Sequence, residues 1–192
     1  DAPIEDGVEL TTDGDDSFLA GRAVSLSEHS AQVERLAREY AERCGLGPWL
    51  AAHLAVAAWL HDVGKADRRF QVMLRGGSEI ELLKDETPWA KSAMPPGARD
   101  ARRLAQRRSG YPQGARHEVQ SLAMLESRLE AWRVCLSRID SSREPDTDLV
   151  LHLVASHHGH CRPFAPVVVD EKPVEVSLTG HRSTGLGAID FS

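Results

Sequence analysis

The sequence predicts an all-α domain of about five or six helices, with irregular N-terminal and C-terminal segments. Three observations favour helix over strand. Ala, Leu and Arg, which are good helix formers, are plentiful, whereas aromatic residues make up only 5% of the 192 residues. Capping residues and glycines bracket several stretches. Within those stretches, apolar residues recur at helical spacing. The chain length fits one domain with a sizeable core.

The first segment, residues 1–22, is predicted to be a loose lead-in, because it is acidic and contains glycine. The domain itself should then occupy residues 23–192. Its first helix should begin near Ser25, since Ser25-x-x-Glu28 forms a capping box, and end at Gly45 and Gly47. The predicted apolar face of this helix consists of Leu26, Val33, Leu36 and Tyr40.

The second helix should carry Pro48 in its first turn and stop at Gly64, a residue that lets the backbone turn sharply. Because it is apolar on nearly all sides, we expect it to be the central buried helix. A short helix is predicted to follow over residues 67–74.

The second half of the chain is predicted to begin with a long irregular insertion, residues 76–97, which contains several glycines and prolines. An Arg-rich segment, 99–108, follows it. Two further helices are expected over about 115–139 and 147–158, the latter with an Asp or Thr cap. A short strand or loop is expected around 167–169, where three valines follow one another.

The bulk properties exclude several classes of protein. The longest apolar stretch, Trp49 to Leu60, is too short to span a bilayer, and no signal peptide is visible. Three widely spaced cysteines are not a disulfide framework and favour a reducing cytoplasm. The net charge of −6 counts mildly against a nucleic-acid binder, although residues 99–108 are strongly basic. A start at Asp1 rather than Met predicts a fragment.

The most informative motif is His61-Asp62, at the end of the apolar second helix. Imidazole and carboxylate ligands together suit divalent transition metals. A carboxylate can also bridge two metal ions, and paired ions commonly hydrolyse phosphate esters. Because neighbouring helical residues point about 100° apart, both side chains reach one site only near the helix end. Lys65 would project beside that site and contact a phosphate oxygen or protonate a leaving group.

Further histidines on other predicted helices complete the pattern. His157 continues a buried stripe on the last helix, and His158 can still reach a site at that helix end. His117 lies near the start of its helix, and His29 lies in the first turns of the first helix. Four helices could therefore direct ligands toward one cavity. No ligand role is assigned to His53, His152, His160 and His181.

These residues resemble the HD phosphohydrolase superfamily and, more narrowly, the HD nuclease domain of the CRISPR-associated helicase-nuclease of type I systems. The matching motifs span residues 28–162. They are Glu28-His29-Ser30, His61-Asp62-Val63-Gly64-Lys65 followed by Phe70-Gln71, Arg116-His117-Glu118, and Ser156-His157-His158-Gly159 with Arg162.

The resemblance implies a helical domain that binds two divalent transition metals and cuts single-stranded DNA. It also implies a superfamily 2 helicase, fused or separate, and a guide-RNA surveillance complex as partners. Lys65 would match the lysine beside the site. In the family pattern one metal would be held by His29, His61 and Asp62, and Asp62 would bridge to a second held by His117, His157 and His158.

The chain departs from the family pattern after His158. The pattern has a further aspartate on a late helix, which completes the shell of the first metal. Here the only later aspartates are Asp170 and Asp190, and neither lies in a predicted helix. Either the chain stops before that helix or another acid takes the place of the aspartate, and we assign none. The Gly-Lys-Ser/Thr phosphate loop of a helicase is absent from the sequence.

The predicted function is metal-assisted phosphodiester hydrolysis with one or two ions of Mn, Ni, Co or Fe, Mg being also compatible. Asp62 and Lys65 are the candidate catalytic residues. Two alternatives stay open: an HD-type phosphohydrolase of nucleotides, and a degenerate HD fold that docks partners. Phosphate contacts are assigned to Arg68, Arg69 and Arg162, with the arginines of 99–108 either joining them or forming a solvated face.

Overall fold

A computed structural model of the chain describes residues 19–139, 143–159, 168–183 and 187–192. Eight α-helices dominate these residues, which confirms the all-α class. A 3₁₀ turn, Val63–Ala66, joins the second helix to the third. The helices are α1 Leu26–Arg43, α2 Pro48–Leu60, α3 Arg68–Leu74, α4 Glu79–Lys84, α5 Arg99–Ser109, α6 His117–Ser127, α7 Leu129–Ile139 and α8 Thr147–Ser156.

Helix α1 begins as its capping box predicts, because the Ser25 hydroxyl accepts a hydrogen bond from the Glu28 N–H at 3.1 Å. The predicted apolar face is partly wrong. Tyr40 is 60% exposed, whereas Glu34 is fully buried on this helix. The carboxylate of Glu34 tolerates burial because the Arg38 guanidinium donates to it at 2.8 Å.

Helix α2 is the central helix, as predicted. Ala55, Val56, Trp59 and Leu60 have no exposed surface, and the helix packs against α1, α7 and α8. It ends at Leu60 rather than Gly64, since Asp62 leaves the helical conformation at φ −106° and ψ 7°. The chain then tightens into the 3₁₀ turn.

Two short antiparallel pairs of strands accompany the helices. β1 (Val24–Ser25) pairs with β2 (Trp89–Lys91), and β3 (His181–Ser183) pairs with β4 (Gly187–Ile189). The prediction of an irregular segment over 76–97 is therefore wrong in part, because α4 and β2 lie within it. Ser78 caps α4, and β2 depends on a partner far upstream that no local pattern reveals.

The helix predicted over 115–139 is two helices, α6 and α7. Arg128 breaks it with φ −128° and ψ 35°. The Leu125 carbonyl at the break accepts hydrogen bonds from the Arg128 N–H at 3.3 Å and from the Trp132 indole N–H at 3.0 Å. Helix α8 begins as predicted, with Asp146 accepting from the Leu149 N–H at 2.9 Å.

Both ends of the domain pack on the helices. Near the N-terminal end, Leu19 is 4% exposed and belongs to a small apolar cluster with Phe70. Residues 1–18 of the predicted lead-in lie outside the described residues. Ile189 and Phe191 join the main core. Val168 and Val169 form no strand, and residue 167 lies outside the described residues. None of the described helices combines the length and apolarity needed to cross a membrane.

Candidate metal centre

The Asp62 carboxylate lies at the centre of the site and is 1% exposed. Its Oδ2 atom is 3.3 Å from Nε2 of His29, on α1, and 3.3 Å from Nε2 of His61, at the end of α2. The Lys65 ammonium donates to the same oxygen at 2.8 Å. We call His29, His61 and Asp62 the Oδ2 group.

The other carboxylate oxygen faces a second set of imidazoles. Oδ1 of Asp62 is 3.0 Å from Nε2 of His117 and 3.8 Å from Nε2 of His157. Nε2 of His158 is 3.2 Å from Nε2 of His117. We call His117, His157 and His158, with Asp62, the Oδ1 group. The donor atoms of the three histidines lie within 4.8 Å of one another, as do those of the Oδ2 group.

Helix ends fix the orientation of two of the rings. His61 follows α2 and His157 follows α8, and the Nδ1 atom of each lies 2.6 Å from the carbonyl oxygen three residues earlier, in Ala58 and Val154. A carbonyl only accepts hydrogen bonds, so each Nδ1 carries the proton. Each Nε2 therefore keeps a lone pair directed toward Asp62, which is the form that binds a metal.

Gly64 brings the two halves of the site together. Its N–H donates to the Ser121 hydroxyl at 2.8 Å, and that hydroxyl donates to the His61 carbonyl at 2.8 Å. A Cβ at position 64 would lie 2.3 Å from the His117 carbonyl oxygen. The glycine is thus required by the close approach of α6 and not by its backbone conformation, since its φ is not positive.

Lys65 is buried and held from two sides. Besides Asp62, its ammonium lies 3.4 Å from the carbonyl oxygen of Ala90 in β2. The Gln71 amide ties this turn to the strand, donating to the Lys65 carbonyl at 2.6 Å and to the Trp89 carbonyl at 2.9 Å. The Arg75 guanidinium, which stacks over Trp89, donates to the Gln71 side chain at 2.7 Å.

The charges around Asp62 set the protonation states of the site. Burial alone raises the pKa of Asp62, but the neighbouring His61, the Lys65 ammonium, His117 and His29 together hold that pKa well below its usual range. Burial lowers the pKa of His117, with a contribution from Lys65. Burial and the neighbouring His61 and His117 lower the pKa of His157 to about 3. At neutral pH the carboxylate is ionised and these two imidazoles are neutral.

The donor atoms fit a divalent transition metal. Oδ1 of Asp62 and Nε2 of His157 are buried, and neither has a hydrogen-bond partner among the described residues. Buried polar atoms of native proteins nearly always have a partner, and a metal ion would supply one here. Neutral imidazoles with an ionised carboxylate are the ligands that such ions prefer.

The predicted phosphate-binding arginines differ in their surroundings. Arg68 is about half exposed, and its guanidinium is 3.4 Å from the Glu79 carboxylate. The Arg69 guanidinium is held by two carboxylates, at 2.8 Å by Asp67 and at 2.9 Å by Asp170. Arg162 lies outside the described residues.

The two late aspartates take up other roles. Asp170 pairs with Arg69, and the Asp190 carboxylate accepts from the Ser192 N–H at 2.8 Å. Neither lies in a helix, in agreement with the sequence pattern.

Some neighbours of the site were given no role by sequence reasoning. Gln71 and Glu118 lie within the quoted motifs, but a motif match does not reveal what a side chain contacts. Ser121 was not singled out, and the Ala90 carbonyl carries no sequence signal. For Glu118 the sequence does contain a signal. In Arg116-His117-Glu118, two residues of opposite charge flank a candidate ligand at the start of a helix.

Comparison with known families identifies the fold. A family model described as the HD domain of Cas3 matches residues 16–177, a range that contains both groups around Asp62. The chain belongs to the Cas3 HD-domain family. The resemblance inferred from the motifs is thereby confirmed. Comparisons with curated proteins and with solved structures gave no match.

As a Cas3 HD domain, the chain is a member of the CRISPR-associated HD nuclease domains. Membership implies action on nucleic acid together with a helicase. HD domains bind divalent metals, and the two His/Asp groups are where this Cas3 HD domain could hold them.

Proposed function

We propose that this Cas3 HD domain is a metal-dependent deoxyribonuclease that hydrolyses phosphodiester bonds of single-stranded DNA. One observation carries the proposal. The two oxygens of Asp62 face different sets of imidazoles, His29 and His61 on one side and His117 and His157 on the other. A carboxylate shared by two donor sets is a common way to hold paired metal ions, which promote in-line displacement at phosphorus.

In this proposal the buried residues prepare the site before substrate arrives. Metal ions held there would activate a bound water and stabilise charge on the phosphate. Asp62 contributes a negative charge to both groups. The carbonyls of Ala58 and Val154 lock His61 and His157 in the tautomer whose Nε2 lone pair faces Asp62.

Lys65 is the proposed second catalytic residue. Its ammonium is held between the Asp62 carboxylate and the Ala90 carbonyl. It therefore lies beside the metal ligands and is not one of them. From there it would stabilise negative charge that develops on the phosphate, or give a proton to the leaving oxygen. Gln71 keeps the turn that carries Lys65 attached to β2.

The proposed nucleic-acid contacts involve α5 and Arg68. Helix α5 packs against α3, which directly follows the Lys65 turn, so its basic residues belong to the same part of the domain. Such side chains favour a polyanion and make binding salt-dependent. The arginines of α5 with exposed side chains are Arg99, Arg103, Arg107 and Arg108.

We further propose that the domain works with a superfamily 2 helicase in the cytoplasm and is directed to its target by a guide-RNA surveillance complex. A helicase would deliver the unpaired strand that an HD nuclease cuts. This part of the proposal rests on family membership.

Replacing Asp62 with Ala tests the proposal. Because this substitution removes a ligand from both groups, we expect cleavage of single-stranded DNA with Mn²⁺ to fall on the order of 10³-fold or more. The assay is repeated with Ni²⁺, Co²⁺, Fe²⁺ and Mg²⁺. Asp148→Ala, at an exposed position of α8, is the matched control and should cleave normally.

Two outcomes would contradict the proposal. Unchanged cleavage by Asp62→Ala would show that the activity does not depend on this centre. Hydrolysis of nucleoside triphosphates without cleavage of single-stranded DNA would instead favour a nucleotide phosphohydrolase.

A further inference from the structure

The candidate ligands His61, His157 and His117 differ in what lies beside Nδ1, the ring nitrogen that faces away from Asp62. His61 and His157 each follow a helix, and the Nδ1 atom of each uses a carbonyl of that helix at 2.6 Å. His117 instead begins α6, so no helical turn precedes it to offer such a carbonyl. Its Nδ1 is buried and has no hydrogen-bond partner among the described residues.

The acidic group beside this nitrogen is the Glu118 carboxylate. Oε2 of Glu118 is 3.6 Å from Nδ1 of His117, slightly beyond hydrogen-bond length. Oε2 is also buried without a hydrogen-bond partner in the described part of the chain. Two unsatisfied atoms of complementary type therefore face each other. The Phe70 ring packs against His117 with a centroid distance of 5.7 Å and offers no acceptor.

Arg116 makes the burial of this carboxylate tolerable. Glu118 has no exposed surface, and a buried charge without a partner is strongly unfavourable. Nη1 of Arg116, itself 4% exposed as a residue, donates to Oε1 of Glu118 at 3.1 Å. The arginine thus holds one oxygen of Glu118 and leaves the other directed at His117.

We propose that Glu118, held by Arg116, is the positioning residue for His117. Its Oε2 accepts the Nδ1–H of His117, which fixes the ring tautomer and leaves the Nε2 lone pair for a metal in the Oδ1 group. A carboxylate behind a ligating histidine also makes that imidazole a stronger donor. The inference rests on the proposed function, in which His117 is a metal ligand.

Mn²⁺ binding to the full chain, measured by isothermal titration calorimetry, tests the inference. Glu118→Gln keeps the shape of the side chain and removes its charge. We expect it to weaken one of two Mn²⁺ sites by roughly 10-fold to 100-fold and to leave the other unchanged. Asp67→Asn is the matched control, since it neutralises another buried carboxylate held by an arginine, and both affinities should stay the same.

The outcomes separate the two proposals. Wild-type protein that binds no Mn²⁺ would overturn the proposed function. Wild-type protein that binds two ions, with Glu118→Gln binding both equally well, would overturn this inference alone.

A second measurement on the unmodified protein does not depend on folding of the variant. Nitrogen-15 NMR of the imidazoles, without added metal, distinguishes Nδ1–H from Nε2–H histidine. The Nδ1–H form of His117 is expected, and the Nε2–H form would overturn the inference. In a folded Glu118→Gln protein, the population of the Nδ1–H form should fall for His117 and stay constant for His61 and His157.

Discussion

The Oδ1 and Oδ2 groups share Asp62 but differ in composition and surroundings. The Oδ1 group offers three imidazoles besides the carboxylate, which is a complete set of four protein ligands. The Oδ2 group offers two imidazoles, and the Lys65 ammonium already lies 2.8 Å from Oδ2 of Asp62. A bridging carboxylate therefore does not make the two groups equal. We expect the Oδ1 group to bind a metal ion more tightly.

The two late aspartates, Asp170 and Asp190, do not add a ligand to the Oδ2 group. Asp170 forms an ion pair with Arg69, and Asp190 accepts from a backbone N–H. Within the described ranges, the only carboxylate that the Oδ2 group contains is that of Asp62. The positive charge of Lys65 adds electrostatic repulsion toward any cation held there.

The sharpest test of the comparison removes one imidazole from each group. His157→Ala should lower cleavage of single-stranded DNA on the order of 10²-fold to 10³-fold, because it opens the complete ligand set. His29→Ala should lower it by about 10-fold at low Mn²⁺ and recover as Mn²⁺ is raised, since a weak site can be filled by mass action. Cleavage rates across a Mn²⁺ titration measure both. Equal, unrecoverable losses would show that the groups are equivalent.

Lys65→Met tests the role assigned to the ammonium. Cleavage should fall by about 10²-fold, because the charge that stabilises the phosphate is lost. Binding of Mn²⁺ to the Oδ2 group should become tighter, since a repelling positive charge beside Oδ2 of Asp62 is removed. Calorimetry and single-turnover cleavage measure the two effects separately. Lys84→Met, on the exposed side of α4, is the control. Weaker Mn²⁺ binding in Lys65→Met would mean that the lysine supports the site structurally.

The smallest expected effect concerns His181, which interacts electrostatically with His61 of the Oδ2 group. Its ring stacks on Trp59 at 5.1 Å, two residues before His61. Burial lowers the pKa of His181, while the Trp59 carbonyl and Glu34 act in the opposite direction and His61 adds to the lowering. The folded state therefore keeps this ring neutral at a pH where the unfolded chain, with a histidine pKa of about 6.5, takes up a proton.

The sign of the pH dependence follows. As pH falls below about 6.5, the unfolded state binds more protons at this position, so the free energy of unfolding decreases. His181→Phe preserves an aromatic ring over Trp59 and removes the titration. Urea unfolding at pH 7.5 and 5.5 should show a smaller decrease for this variant than for wild type. His152→Phe, at an exposed position, should leave the decrease unchanged. An identical decrease in His181→Phe would refute the assignment.

Sequence patterns predicted the features that depend on neighbouring residues. The caps of α1 and α8 are local hydrogen bonds, and the central position of α2 follows from apolar residues on all its faces. The positions of His61 and His157 at helix ends also follow from local periodicity. These elements could be predicted because the decisive contacts span only a few residues.

The features that sequence reasoning missed depend on distant contacts. Strand β2 forms because β1 lies beside it. On α1, Glu34 is buried and Tyr40 is exposed, because packing decides which face is covered and Arg38 pairs with the Glu34 carboxylate. The network around Gln71 joins a turn, a helix and a strand. None of these contacts leaves a periodic pattern in the sequence.

The close contact at Gly64 has an evolutionary consequence. Any larger residue at this position would collide with the backbone at His117 and at Ser121, where the nearest atoms are the carbonyl oxygen and the amide nitrogen. A substitution is therefore accessible only if the start of α6 moves outward, and that movement would carry His117 away from Asp62. Among descendants that keep the proposed metal centre, glycine at 64 should be inherited together with a small hydroxyl residue at 121. The two positions form one unit of selection, although neither residue is a proposed metal ligand.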